Sequence, residues 1–319
     1  MEIQLQKSIL KVLVYFDLFN YPVSEDEIYL FLDKKADREE LLCQLRLLVL
    51  HEMVYKINEF YSLKPDPSLV KKRLDENNRA QVLLKTARRI SRFLYLFPYV
   101  RAISISGSLS KNVADEKADI DYFIITQPNR LWIARSIMHF FKKLTFITGH
   151  QHWYCMNYYV DEEGLQIEEK NIFTATELVT LMPMRGNGAI QKLIEANEWT
   201  KEYFPNTTIK CASCDPPRSW VKGLGESLFN NSLGQRLENY LMGLTSKRWK
   251  KKEDNQKLNI KGNRMGLKTD KHFCKPSPVF FQKKLLESYQ TRLHEWNLKW
   301  NVMISRAKAS HGFFRREII

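Results

Sequence analysis

The chain has no run of about 18 consecutive apolar residues, the least that a bilayer-crossing helix needs, so no membrane span and no membrane partner are expected. Its opening, MEIQLQKSILKVLVYFDLF, alternates acids and polar residues with apolar ones and lacks the continuous apolar centre of a signal peptide. The expected compartment is the cytoplasm. Cysteine is scarce. Five among 319 residues, an odd and sparse count, do not describe a disulfide framework, and reduced thiols fit that compartment. No internal repeat and no low-complexity block stands out. What is present supports folding: 44% hydrophobic residues and 12% aromatics supply real cores, and the length suits two or three domains.

Acids are outnumbered, and the formal charge is +14. The excess is uneven. Residues 1–64 hold eight bases against eleven acids, a net of −3, whereas residues 246–275 hold eleven bases against three acids, a net of +8. The basic stretch reads first as a solvated linker between helices and second as a polyanion contact.

Apolar residues recur at helical spacing from Leu5 to Phe19, Ser24 precedes EDEIYLFL as an N-cap with acids behind it, and Asp37 opens REELLCQLRLLVLHEMV in the same way. Leu41, Leu42, Leu45, Leu48 and Val49 share one face of the third helix. VYKINEFYSL then reads as two strands joined at Asn58. Three helices and a hairpin resemble a winged helix. The third helix mixes Arg38, Glu39, Glu40, Gln44 and Arg46, and with a net charge of −3 the segment suits packing or protein contact and argues against DNA.

KPDPS at 64–68 marks a junction, because two prolines do not fit inside a helix. A long helix follows from Leu69 to Leu96, with Lys85, Arg88, Arg89 and Arg92 near its end, either merely solvated or close to a polyphosphate. After Pro98 come the strands VRAISIS and DYFIIT, a helix in NRLWIARSIMHFFKKLTFI, a hairpin of WYCMNYYV and LQIEE around Gly164, and a helix from Thr174 to Leu181 ended by Pro183. The remainder reads as mostly helical. The expected class is therefore α+β, with a winged-helix-like domain over 1–65, a small mixed sheet backed by helices over 66–185, and a helical region over 186–319.

The stretch SISGSLSKNVADEKADIDYFIIT, residues 104–126, carries the chemistry. Gly107 ends a strand where a missing side chain lets a ligand approach the backbone, and Ser108 adds a hydroxyl donor, so a phosphate fits there. Asp119 and Asp121 flank Ile120, and a strand period of two puts both carboxylates on one face. Two such carboxylates beside a phosphate site suit Mg²⁺, which prefers oxygen ligands and keeps substrate phosphates in its shell.

The pattern of a hydrophobic residue, Gly107, Ser108, ten spacer residues, Asp119, a hydrophobic residue and Asp121 resembles the polymerase-beta-type nucleotidyltransferases. Over roughly residues 5–185 the chain is similar to bacterial proteins that carry a winged helix ahead of such a domain, and that continue with segments like RLWIAR, CMNYYV and TATELVTLMP. The resemblance implies a Mg²⁺-dependent transfer of a nucleoside monophosphate from an NTP, ATP first among them, to a hydroxyl of a small molecule, RNA or protein. Mn²⁺ is the alternative metal. It implies that Asp119 and Asp121 hold metal, that the Gly107–Ser108 turn holds phosphates, and that Lys111 is in reach of one. It also implies a third carboxylate on the next strand, where WYCMNYYV has none and Asn157 stands in the middle. The base then comes from Glu168, Glu169, Asp161 or Glu177, of which Glu168, on the returning strand, is the first choice. A second reading is a regulator or scaffold of the same fold that binds nucleotide without turnover.

Other signals carry less. Cys211, Cys214, His272 and Cys274 are zinc-ligand types at irregular spacing. His150 and His152 fit a turn leading into a strand. Tyr289, Trp296 and Trp300 fall at helical spacing and suit helix packing better than base stacking.

Overall fold

The computed structural model describes residues 2–147, 149–208, 220–256, 258, 262, 264–278 and 280–314. The chain divides into two units, Met1–Val70 with Phe280–Ile319, and Lys71–Val279. The described residues form an α+β structure of 12 helices, a three-stranded sheet and a six-stranded sheet. None of the helices is long and apolar enough to cross a membrane.

In the first unit the helices Glu2–Asp17, Glu25–Leu30 and Arg38–Leu50 form where the caps announce them. The Ser24 hydroxyl accepts from the Glu27 amide while the Glu27 carboxylate accepts from the Ser24 amide, a reciprocal capping box. Asp37 accepts from the amides of Glu39 and Glu40. Leu41, Leu45 and Leu48 are buried, as the spacing predicts. Three strands follow in chain order, β1 Val23–Ser24, β2 Tyr55–Ile57 and β3 Phe60–Ser62. The last two turn at Asn58, whose φ of 55° is a left-handed value that asparagine tolerates. β1 adds antiparallel to β3, a pairing its two residues do not announce. Arg38 is spent within the unit, on the Asp26 carboxylate at 2.5 Å and over the Tyr29 ring. Helix Phe281–Phe314 packs on Glu2–Asp17: the Tyr289 ring meets Tyr15 edge-on, Arg292 pairs with Asp17, and Trp300 is buried. The aromatic spacing of this helix therefore serves packing.

The second unit is built on the sheet β7-β4-β5-β6-β9-β8, where β4 is Val100–Ser106, β5 Asp121–Thr126, β6 Cys155–Asp161, β7 Met182–Arg185, β8 Met265–Thr269 and β9 Phe273–Pro278. Only β5 and β6 run parallel, joined by a crossover through helix Leu131–Leu144. Alternate residues Ile103, Ile105, Tyr122 and Ile124 share a core with Leu84 and Ala87 of helix Pro67–Leu94 and with Trp132 and Met138 of the crossover helix. Helix Ser232–Asp254 is anchored by its buried Glu238, whose carboxylate accepts from the Trp132 and Ile133 amides at 2.7 and 2.9 Å. These amides open the crossover helix and have no partner within it, so the carboxylate caps them and meets the positive end of the helix dipole.

Three sequence expectations change. LQIEE forms no strand, and the antiparallel neighbour of β6 is β9, more than a hundred residues on. The backbone of the expected strand is satisfied elsewhere, since Asn197 accepts from the Ile167 amide at 2.9 Å and donates to the Leu165 carbonyl at 2.7 Å. Pro183 ends no helix: helix Ile172–Val179 stops earlier, and Pro183 lies in β7, an edge strand where a missing amide is tolerated. Residues 246–275 are not simply a linker between helices. Their start completes helix Ser232–Asp254 and their end forms β8 and the first half of β9, so the region past 186 is not purely helical.

Candidate active site

Gly107 and Asp121 are brought together by strand pairing, because Ser106 at the end of β4 sits opposite Asp121 at the start of β5. β4 then turns into the short helix Gly107–Ser110. Gly107 opens it at φ 69°, and no side chain caps its first turn. A Cβ built on Gly107 lies 2.7 Å from Oδ2 of Asp121, so the glycine lets the turn backbone rest directly against that carboxylate. Ser108 is exposed beside it.

Asp119 lies just outside β5, yet its neighbour Ile120 is held as a strand residue would be: the Ile120 amide donates to the His152 carbonyl and the Ile120 carbonyl accepts from Cys155. Ile120 is fully buried and both aspartates are half-buried. The alternation expected from the sequence is therefore met, with one apolar side chain inward and two carboxylates at the rim.

β6 runs beside β5 with Cys155 opposite Asp121, and its register slips between Tyr122 and Phe123 because Asn157 is an extra residue in the ladder. The bulge aims the Asn157 side chain at the acid pair: its Nδ2 donates to Asp121 Oδ1 at 2.5 Å. The Cys155 thiol in turn donates to Asn157 Oδ1 at 3.4 Å. Burial, aided by the nearby Asp121 and Asp119 carboxylates, pushes that thiol up to about 11, so it stays a protonated donor at neutral pH. The thiol fixes which way the amide faces, and the amide fixes Asp121.

Lys111, at the end of the turn, donates to the Gly107 carbonyl at 3.0 Å and pairs with Glu177 at 2.7 Å. Glu177 belongs to helix Ile172–Val179, so this ion pair ties the turn to an element far along the chain. It is the residue that sequence reasoning ranked low and contact ranks high. The spacing between Lys111 and Glu177 gives no sign of it.

The remaining acids lie elsewhere. Glu168 is exposed and lines a cleft of about 430 Å³ with Glu169, Lys268, Lys275 and Tyr158, and none of Gly107, Asp119 and Asp121 lines that cleft. Glu169 pairs there with both Lys268 and Lys275, which face each other across β8 and β9. Asp161 is fully buried at the far end of β6, where it accepts from the amides of Asn129, Glu163 and Gly164 and faces the His272 ring. His272 is thus bound to a carboxylate and Cys274 is buried in the core, which leaves the zinc reading no convergent pair; Cys211 and Cys214 lie outside the described residues. His150 caps and His152 lies within a single turn of 3-10 helix, Gln151–Trp153, that leads into β6, and His150 packs on the Trp153 ring.

Among the described residues no three His, Cys, Asp or Glu side chains converge as a metal-holding group. Asp119 and Asp121 are both half-buried, one on each side of the buried Ile120, and two carboxylates are a donor set that fits one Mg²⁺ whose other positions are filled by substrate phosphates and water. It does not supply the third acid that would complete a pair of metals. Comparison of the chain with models of protein families, with curated proteins and with solved structures gave no match.

Proposed function

We propose that the protein transfers a nucleoside monophosphate from an NTP to a hydroxyl acceptor at Gly107, Ser108, Asp119 and Asp121. The single observation that carries this reading is the left-handed Gly107 set against the Asp121 carboxylate, which makes the glycine-serine turn and the acid pair one site. Phosphate oxygens approach a turn without a side chain in the way, and Ser108 offers them a hydroxyl. Asp119 and Asp121 would hold Mg²⁺, which when bound neutralises charge on the phosphates. The acceptor oxygen bonds to the α-phosphorus as the bond from that phosphorus to the β-phosphate oxygen breaks, and pyrophosphate leaves. The hydroxyl proton passes to water, because the Asn157 amide takes none and the Glu177 carboxylate is held in its ion pair with Lys111. Lys111, held by Glu177 and by the Gly107 carbonyl, fixes the shape of the turn rather than reaching outward.

One observation favours the second reading, nucleotide binding without turnover. Asn157 stands beside Asp121 where an acid would serve as ligand and base, and an amide takes no proton. Incubation with each α-labelled NTP and candidate acceptors separates the two. Label transfer that Asp119→Ala abolishes supports the transferase, whereas metal-dependent NTP binding without transfer to small molecules, RNA or protein supports the binding module.

A further inference from the structure

We propose that the end of helix Pro67–Leu94 and the end of helix Leu131–Leu144 form a docking face for a single-stranded polynucleotide. The choice of a polynucleotide over a membrane surface and its role as acceptor rest on the transferase reading; the cationic and apolar face itself does not. Lys85, Arg88, Arg89 and Arg92 recur every three or four residues, so they share one side of the first helix, and all are exposed. No described acid forms an ion pair with any of them. Bases earlier in the same helix are used: Lys72 pairs with Glu76, and Arg79 donates to the Ala114 carbonyl. Phe93 and Phe97 pack on Phe141 of the second helix, whose next two residues are Lys142 and Lys143. Six cations without acids repel one another, a cost that a polyanion relieves.

The same face leaves large apolar side chains in water. Phe140 is 65% exposed, Phe146 56% and Ile147 86%, while Trp132, Ile133 and Met138 already fill the inner side of that helix. Cations interleaved with flat apolar faces suit a strand that offers phosphates and unpaired bases together. A duplex hides its bases, and the phenylalanines would gain nothing from it. An anionic bilayer offers a similar match, and position decides against it. The Phe141 ring is 5.4 Å from Tyr154, the next residue, Cys155, stands opposite Asp121, and the Ile120 amide bonds the His152 carbonyl, so the face adjoins the acid pair that handles phosphate.

The test is fluorescence anisotropy of the full chain with labelled oligouridylate and oligothymidylate, without NTP or Mg²⁺. Both probes share the phosphate-and-base chemistry; equal binding assigns that chemistry alone, and preference for uridylate assigns RNA. The triple variant Arg88→Gln, Arg89→Gln, Arg92→Gln is expected to weaken binding about tenfold or more at low salt and to reduce the slope of log K against log salt by about 2. Phe146→Ala is expected to weaken binding about fivefold or more with the slope kept. All these side chains are exposed, so the unfolding midpoint stays in place. Asp119→Ala with Asp121→Ala leaves oligonucleotide binding intact, which separates failure of this face from failure of the transferase reading. The proposal is overturned if the parent binds neither oligonucleotide at low salt, if the variants bind as the parent does, or if the triple variant loses phosphatidylserine vesicles but keeps the oligonucleotides.

Discussion

Replacing Gly107 by alanine tests whether turn and acid pair are one site. The added methyl meets two constraints. At φ 69° an alanine is held in left-handed backbone, which costs about 1–2 kcal/mol. The methyl also lies 2.7 Å from Asp121 Oδ2, and ordinary contact begins at 3.4 Å, so the carboxylate has to retreat by about 0.7 Å. That second effect falls on the end of a side chain and costs the fold little. It falls fully on the site, because Asn157 holds the other oxygen of the same carboxylate. Stability should therefore drop by about 1–2 kcal/mol, a fall of about 2–8 °C in the unfolding midpoint for a unit of this size, while affinity for Mg²⁺-ATP falls about tenfold or more. Gly223→Ala is the control: it sits in helix Trp220–Leu228 with nothing within 4 Å of the new methyl, and should leave binding alone and stabilise by up to about 1 kcal/mol. Differential scanning fluorimetry and titration calorimetry read both quantities. A Gly107→Ala protein that loses the stability yet binds Mg²⁺-ATP as the parent does refutes the reasoning.

Three further outcomes follow from named contacts. Asn157→Asp places a second carboxylate against Asp121 in place of a donor, so the midpoint without metal should fall while Mg²⁺ raises it by more than in the parent; thermal shift with and without Mg²⁺ checks this. Desolvation and the neighbouring Arg135, Lys142 and Lys143 hold the His139 pKa well below 6.5, and its Nε2 is buried without a partner. The unfolded state then binds the extra proton, so stability should fall as pH drops below 6.5 by up to about 1.4 kcal/mol per unit, and His139→Leu should lack that loss in urea titrations. Burial raises the Glu238 pKa above 4.5 despite the Trp132 and Ile133 amides, so the folded state holds the proton more tightly. The parent should lose stability relative to Glu238→Gln as pH rises above that value, and equal pH profiles would contradict this account of the anchor.

Local chemistry was legible in the sequence and distant pairing was not. The caps at Ser24 and Asp37 and the strand turn at Asn58 each depend on a few adjacent residues, and each formed as read; the reciprocal capping box and the left-handed φ are details that the structure adds. Gly107 and the two aspartates were legible for the same reason, since a turn and a strand alternation are short-range patterns. β8 and β9 were hidden because the basic stretch 246–275, with Lys268 and Lys275, reads as a solvated linker, and because the partner of β9 lies more than a hundred residues earlier. LQIEE misled in the opposite direction: its alternation suits a strand, but Asn197 takes the backbone groups that a neighbouring strand would need. Lys111 and Glu177 meet only because helix Ile172–Val179 folds back on the turn. Asn157 was visible as a missing acid, whereas its aim at Asp121 depends on a bulge that no local pattern announces.

Calorimetric titration of Mg²⁺-ATP into the parent and into the Asp119→Ala, Asp121→Ala variant tests the central claim most directly. The account predicts binding by the parent that requires the metal, and none by the variant at an unchanged unfolding midpoint. Equal heats from the two proteins, with or without Mg²⁺, would contradict it.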